Sequence, residues 1–532
     1  MEWVTEAATA TTVGRVVVLV MLLVTGGVLA RAVSLRAHYD QLDERLFLGV
    51  PWGTLLAAST ILAVYLFVQS GLSSWQEPVT IPYVARSYFD PFGMVVGPFA
   101  HQDPGHLIGN LTALLVVGPI AEYIYGHHEG SRFGPVGRVS LFVGALFAVG
   151  LATSLFSWTN LIGFSGVTFA LAGFVLVRYP ILSVLAVVFR ELVSEIVRAI
   201  EDPILTPSEV GATAQWFDIA IQGHAFGFLL GVLCGIALLR RRNEQSASFE
   251  RLWLGALLVI SSKSLWAWWV PGIDGAVVYP GLGIGLVLAS SLLIACAVYT
   301  GEERLLGRWT WSEIATATLV AVLLFAAVLA VPAHLTAVDG GERNESVQVD
   351  EYTVSYEEEP AVRTTQAGEV PNVFASESSD EGGVVVVNDE REFWTIAATE
   401  DELEATGEAT VRVGGVGWVE TIDVERNGWE TGGETVYTIH ITATDRPPEQ
   451  VYASDSAKAD AVVDSREIII ESGEHSFVLV VEDENGGSER VSVPEEGGSV
   501  SASGVEIHHE DDRLIASDGG NQTVIATQEE YD

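Results

Sequence analysis

Two cysteines and two lysines are all that 532 residues contain. Cys234 and Cys296 both fall in apolar runs, so no disulfide framework holds any part of the chain together, and cysteine pairing says nothing of redox compartment. Basic charge of any kind is scarce: 27 Lys and Arg stand against 69 Asp and Glu, a formal net charge of −42. Phosphate backbones are held by Lys and Arg, so this balance argues against nucleic acid as a partner. Long hydrophobic runs are missing beyond residue 335. That half carries 47 of the acidic residues and 10 of the basic ones, which is −37 of the net charge. Its aromatic and β-branched content is too high for simple disorder. The acid therefore reads as a solvating surface of the kind proteins in very salty surroundings carry, as in a halophilic archaeon.

What the first half has is apolar length. Ten runs approach or exceed the roughly 20 residues that span a bilayer: 14–34, 48–71, 104–126, 138–158, 163–178, 181–199, 218–239, 252–271, 275–298 and 311–333. The arginines orient them. Arg132, Arg138, Arg178 and Arg240 to Arg242 all fall in alternate loops, and the opposite loops hold little beyond Arg86. Placing the Arg-rich loops in the cytoplasm puts the N-terminus and the acidic half outside the cell. The first run is read as a membrane helix and not a cleaved signal, because its arginines lie on the wrong side for one. The sixth run is interrupted by Arg190, Glu191, Glu195 and Arg198. It is either a helix whose end sits in the headgroup region or a mobile gate beside a site. From about 340 the pattern changes to short alternating runs, such as Gly383–Val387, Thr435–Thr442 and Gly504–His508, separated by Gly, Asn and Asp. This predicts an all-β, sandwich-like domain. The expected division is an extra N-terminal helix and cytoplasmic loop over 1–47, a helical core over 48–240, three further helices over 241–335, an acidic linker over 336–380 and an extracellular β-rich domain over 381–532.

Polar residues at membrane depth are costly and point to function. Three stretches stand out: His101-x4-His106-x3-Asn110, Gly163-Phe164-Ser165-Gly166, and His224-x2-Gly227-x3-Gly231. A serine at a helix start is commonly a cap, and Gly-x-Ser-Gly is not the elbow of soluble hydrolases. A lone histidine on an apolar face is commonly a satisfied core residue. Yet Gly227, Gly231 and Gly235 fall on one face of the His224 helix, and Gly166, Ala170 and Gly173 form a small stripe on the Ser165 helix. Such faces let two membrane helices approach closely. Both polar residues then lie at similar depth, and a serine with a neutral imidazole in reach becomes a nucleophile. No acid stands at an obvious third position, so a dyad is expected and not a triad. His106 and Asn110, at i and i+4, share a helix face and suit an oxyanion together with the Ser165 N–H. A zinc site is the rival reading of the histidines, but the spacing is not His-Glu-x-x-His, so no metal and no cofactor is expected.

These motifs resemble the rhomboid family of intramembrane serine proteases, over roughly residues 48–240. Gly118, Glu122 and Gly126 are similar to the Gly-x3-Glu-x3-Gly continuation of the family's second helix. The resemblance implies a six-helix core and cleavage of other proteins' transmembrane segments within the lipid bilayer. It implies Ser165 as nucleophile, His224 as base, His106, Asn110 and the Ser165 N–H at the oxyanion, and His101, Gly163, Gly166 and Gly227 as supports. Phe169 stands where the family often has a tyrosine stacked on the base, and a phenyl ring can stack as well. One helix before this core, three after it and the outer domain lie beyond the resemblance. The alternative from another class is a catalytically inactive relative that binds membrane helices and controls their fate; it would be expected to lack the serine or the histidine. A transporter would need polar groups at many depths, and here they gather at one.

Overall fold

The computed structural model describes residues 42–126, 132–201, 221–261 and most of 269–338, then 345–358 and most of 382–531. The run at 14–34 lies almost wholly outside the described residues, as does the stretch 202–220. The chain divides into two compact units, Met1–Thr336 with Gly368–Ala375, and Ala337–Ala367 with Ser376–Asp532.

The first unit is helical. Its main elements are α1 (Trp52–Ala63, continued by a π turn to Val68), α2 (Pro104–Tyr125), α3 (Pro135–Phe156), α4 (Ser165–Arg178), α5 (Pro180–Glu201), α6 (Ile221–Arg241), α7 (Phe249–Ser261), α8 (Pro280–Val298) and α9 (Trp311–His334). Local chemistry sets the starts. Asp103 caps α2 by accepting from His106 N at 2.8 Å, with Pro104 in the first turn. Thr310 and Glu313 form a capping box on α9. Glu122, buried on α2, accepts from Gly53 N, Thr54 N and Thr54 Oγ1, each at 2.9 Å. A carboxylate from one helix thus closes the start of another, where the orphan N–H groups and the dipole favour negative charge. At the other end of α2, Arg242 donates to the carbonyls of Ile124, Tyr125 and Gly126.

α2, α3, α6 and α9 are each long and apolar enough to cross a membrane, and α1, α4, the first half of α5 and most of α8 are shorter apolar helices. Leu324, Phe325 and Val328 of α9 are exposed. Apolar side chains turned outward on so apolar a helix are what lipid requires. This half is a polytopic helical membrane core. α1 to α4 bury one cluster around Leu114, Val167 and Val175; a second joins α4, α6, α7, α8 and α9 around Phe228, Val232 and Leu252. Of the helix expected over 252–271, the described part is helical to Ser261, and residues 262–268 lie outside the described residues. Residues Trp269–Gly272 and Gly275–Val278 pair as an antiparallel hairpin instead, and α8 starts at Pro280. Pro271 and Gly272 end helical hydrogen bonding there, and β-branched Val277 and Val278 suit a strand.

The second unit is β-rich. Strands β1 (Val347–Val349), β2 (Tyr352–Glu357), β3 (Gly383–Asn388) and β4 (Phe393–Thr399) form a sheet of order β4-β3-β2-β1. β1 and β2 lie inside the stretch expected to be an acidic linker. Val347, Val349, Tyr352, Val354 and Tyr356 are all buried, which is why this segment pairs despite its charge. An eight-stranded sheet is built on β6 (Trp418–Glu430) and β7 (Thr435–Ala443), with β5 (Glu408–Gly415) paired to β6, and a further four-stranded sheet contains Glu467–Glu471 and Val478–Glu482. β6 shows how the acid is carried: Ile422, Val424 and Arg426 are buried, while Asp423, Glu425 and Asn427 face out. Buried Arg426 is paired with Glu529 at 2.8 Å and lies 3.8 Å over the Tyr437 ring.

Candidate active site

The site is assembled by the packing of α4 against α6. A Cβ on Gly227 would strike Gly166 O, one on Gly231 would strike Ala170 O, and one on Gly173 would strike Phe228 O. The two small-residue faces are in backbone contact, which only glycine allows. That contact brings Ser165 Oγ to 2.7 Å from His224 Nε2, between residues 59 apart in sequence.

Ser165 is the first residue of α4, Phe164 holds the cap position, and no side chain caps the helix. The hydroxyl is turned to the imidazole and not to its own helix. Phe169 stacks on the His224 ring with centroids 4.5 Å apart and planes 16° from parallel. Among the described residues the ring is held by a face contact and one hydrogen bond, and no carboxylate is hydrogen-bonded to it.

Gly163 makes the turn before the serine at φ +115°, a conformation that L side chains rarely adopt. It also makes room: a Cβ there would lie 2.6 Å from the His106 ring and 3.4 Å from Asn110 Nδ2. His106 and Asn110 of α2 therefore face the Gly163–Ser165 turn. Among the described residues His106 Nδ1 and Asn110 Nδ2 are buried without a hydrogen-bond partner, as are both ring nitrogens of His101. An unmade buried polar group costs about 1–3 kcal/mol and calls for a reason. A negative oxygen held above the turn would supply one. His101 is fully buried, edge-on to His106 at 5.1 Å. Gln69 fixes its backbone, accepting from His101 N at 2.8 Å and donating to His101 O at 2.7 Å. Gly166 packs on Thr153, and Thr168 Oγ1 donates to Ser165 O.

A serine hydroxyl beside an imidazole, at a turn lined by buried donors, has the groups that acyl transfer uses. Residues 89–241 match the family model of the rhomboid domain. This segment is a rhomboid domain. No curated protein and no solved structure matches the chain. The rhomboid domain takes in α2 to α6 and with them all the site residues named above except Gln69. It begins after α1, later than the resemblance read from the motifs, and it leaves out α7 to α9 and the β-rich unit.

Sequence reasoning missed a shell around the rhomboid site. Trp158 N donates to Gln222 Oε1 at 2.8 Å, Gln222 Nε2 donates to Phe156 O at 3.1 Å, and both nitrogens of His334 sit on backbone carbonyls. Isolated polar residues at the ends of apolar runs were the available signal. Their partners lie 64 to 248 positions away, and a single sequence does not show which ends meet.

Proposed function

We propose that this protein is an intramembrane serine endopeptidase that cuts transmembrane segments of other membrane proteins. The observation that carries the reading is the Ser165 Oγ–His224 Nε2 contact of 2.7 Å within a rhomboid domain. Ser165 attacks the scissile carbonyl while His224 takes its proton; the proton then passes to the leaving amine, and water hydrolyses the acyl-enzyme. His106, Asn110 and the Ser165 N–H hold the developing oxyanion. His101 supports His106, Gly163 and Gly166 shape the turn, and Phe169 and Gly227 keep the base in place. No cofactor enters this chemistry. The catalytic core is taken as α1 to α6, six helices over 48–240. A serine-directed fluorophosphonate is expected to label the protein once, at Ser165. Labelling elsewhere only, with no cleavage of a transmembrane reporter, would leave a helix-binding protein as the alternative.

Asn110→Ala is expected to lower kcat on a transmembrane reporter on the order of 10²–10³-fold, the usual loss for one oxyanion donor. KM should change little, because the donor acts on charge that develops only in the transition state. A variant with wild-type kcat would remove Asn110 from the oxyanion.

The protein is placed in the cell membrane with its β-rich unit outside, in a salt-rich setting. The arginine asymmetry and the −37 formal charge of residues 336–532 support this. Protease added to intact cells should remove that unit, and its unfolding midpoint should rise steeply with salt as self-repulsion is screened. Full protection from protease would reverse the topology; a midpoint insensitive to salt would refute the halophilic reading.

A further inference from the structure

His334 ends α9, a helix outside the rhomboid match. It is 1% exposed, with Nδ1 2.7 Å from Arg86 O and Nε2 2.7 Å from Ser157 O. Its own carbonyl accepts from Tyr88 N at 2.9 Å. The two carbonyls it grips belong to two segments, the loop between α1 and α2 and the loop that joins α3 to α4. On one, Ala85, next to Arg86, pairs N to O in both directions with Leu161, two residues before Gly163. On the other, Ser157 precedes Trp158, whose N–H holds Gln222, two residues before His224 on α6. Trp158 Nε1 also donates to Ala326 O of α9 at 2.8 Å. The α3–α4 loop runs on to the nucleophile turn, is paired at Leu161 by the Arg86 segment, and is tied through Trp158 to the helix of the base.

We infer that His334 is a positioning residue for the Ser165–His224 pair, bracing the Arg86 segment against the α3–α4 loop that carries the nucleophile turn and holds Gln222 of the base helix, from a helix beyond the rhomboid domain. This rests on the protease reading. A carbonyl oxygen only accepts, and a neutral imidazole carries one N–H, so both bonds are made only by the doubly protonated ring. Among the described residues Arg86 and Tyr88 are the charged and titratable ones facing it. The Arg86 guanidinium donates to Ile81 O, and the Tyr88 ring centre lies 5.3 Å away; Ser87 and Ser157 are neutral. Burial lowers the ring's pKa from its ordinary value, and the two carbonyls pull it upward. The brace is complete on the acid side of that titration and loses one bond on the alkaline side. His224 must be neutral to act as a base, so the low-pH limb of kcat is set by His224, and a high-pH limb, falling below the ordinary histidine range, is set by His334.

The test is kcat and KM of the full-length protein on a transmembrane reporter, across the range in which histidine titrates. His334→Ala should lower kcat on the order of 10- to 100-fold with KM held, the scale of a small misplacement of reacting groups. His334→Gln keeps one donor and should recover part of the loss. Neither variant should show the high-pH limb. Gln222→Ala should lower kcat in the same way, and the His334→Ala, Gln222→Ala double variant should lose little more than the worse single one, since both cut one chain of contacts. Wild-type kcat and an unchanged high-pH limb in His334→Gln would overturn the brace, as would additive losses in the double variant. Where His334→Ala fails to fold, His334→Gln and Gln222→Ala decide. A wild-type protein without Ser165-dependent cleavage would sink the protease reading instead.

Discussion

Ser165→Ala is expected to abolish cleavage of a transmembrane reporter and labelling by a fluorophosphonate, while the protein still inserts and unfolds as before. The substitution removes one oxygen, and the partner that oxygen loses is His224 Nε2. The stability change is that of one hydrogen bond, about 1 kcal/mol. The catalytic change is of another order, because without the hydroxyl there is no acyl-enzyme. Where a nucleophile and its base act as a unit, losing either costs about as much as losing both, on the order of 10⁴ or more in kcat. His224→Ala should therefore match Ser165→Ala, and the double variant should be no worse. The measurements are single-turnover cleavage and covalent labelling on protein whose thermal unfolding has been checked. Cleavage by Ser165→Ala at the wild-type rate would refute the protease reading and leave the helix-binding one.

Gly231→Val should disable the proposed activity from a distance, without touching Ser165 or His224. A Cβ on Gly231 meets Ala170 O, a backbone atom on α4 that cannot swing aside. α6 has to move off α4, and the small faces that set the approach of Ser165 and His224 part with it. Overpacking of this kind costs about 1–3 kcal/mol or more, and a displacement near 1 Å at the reacting atoms costs about 10²-fold in rate. Labelling and cleavage should fall together in the fraction that remains folded. Gly144 of α3 and Gly285 of α8 serve as controls, since a Cβ added at either would meet nothing within 4 Å. Gly144→Ala and Gly285→Ala should be neutral, or stabilising by roughly 0.5–1 kcal/mol as glycine leaves a helix interior. Gly231→Val with wild-type labelling would show that close approach of α4 and α6 is not what aligns the pair.

Much of this was legible in the residues. The spacing of Gly227, Gly231 and Gly235, and of Gly166, Ala170 and Gly173, states that two helices are built to touch, since helical periodicity turns spacing into a face. A serine and a histidine at the same ends of those faces follow from the same count. Apolar length marks most of the membrane helices, and alternation marks most of the strands, because burial on one side imposes a period on any regular element. Where the periods compete the residues mislead: Val277 and Val278 read as part of an apolar span and lie in a hairpin, and Val347 to Tyr356 read as an acidic linker and lie in a sheet. Only the tertiary structure decided that Gly163 opens space for His106, that Glu122 closes α1, and that His334 reaches the carbonyls of Arg86 and Ser157. Each of those is a contact between groups far apart in the chain, and each is set by how whole helices pack. Local pattern fixes which face an element buries; it carries no record of which distant backbone atom will be waiting there.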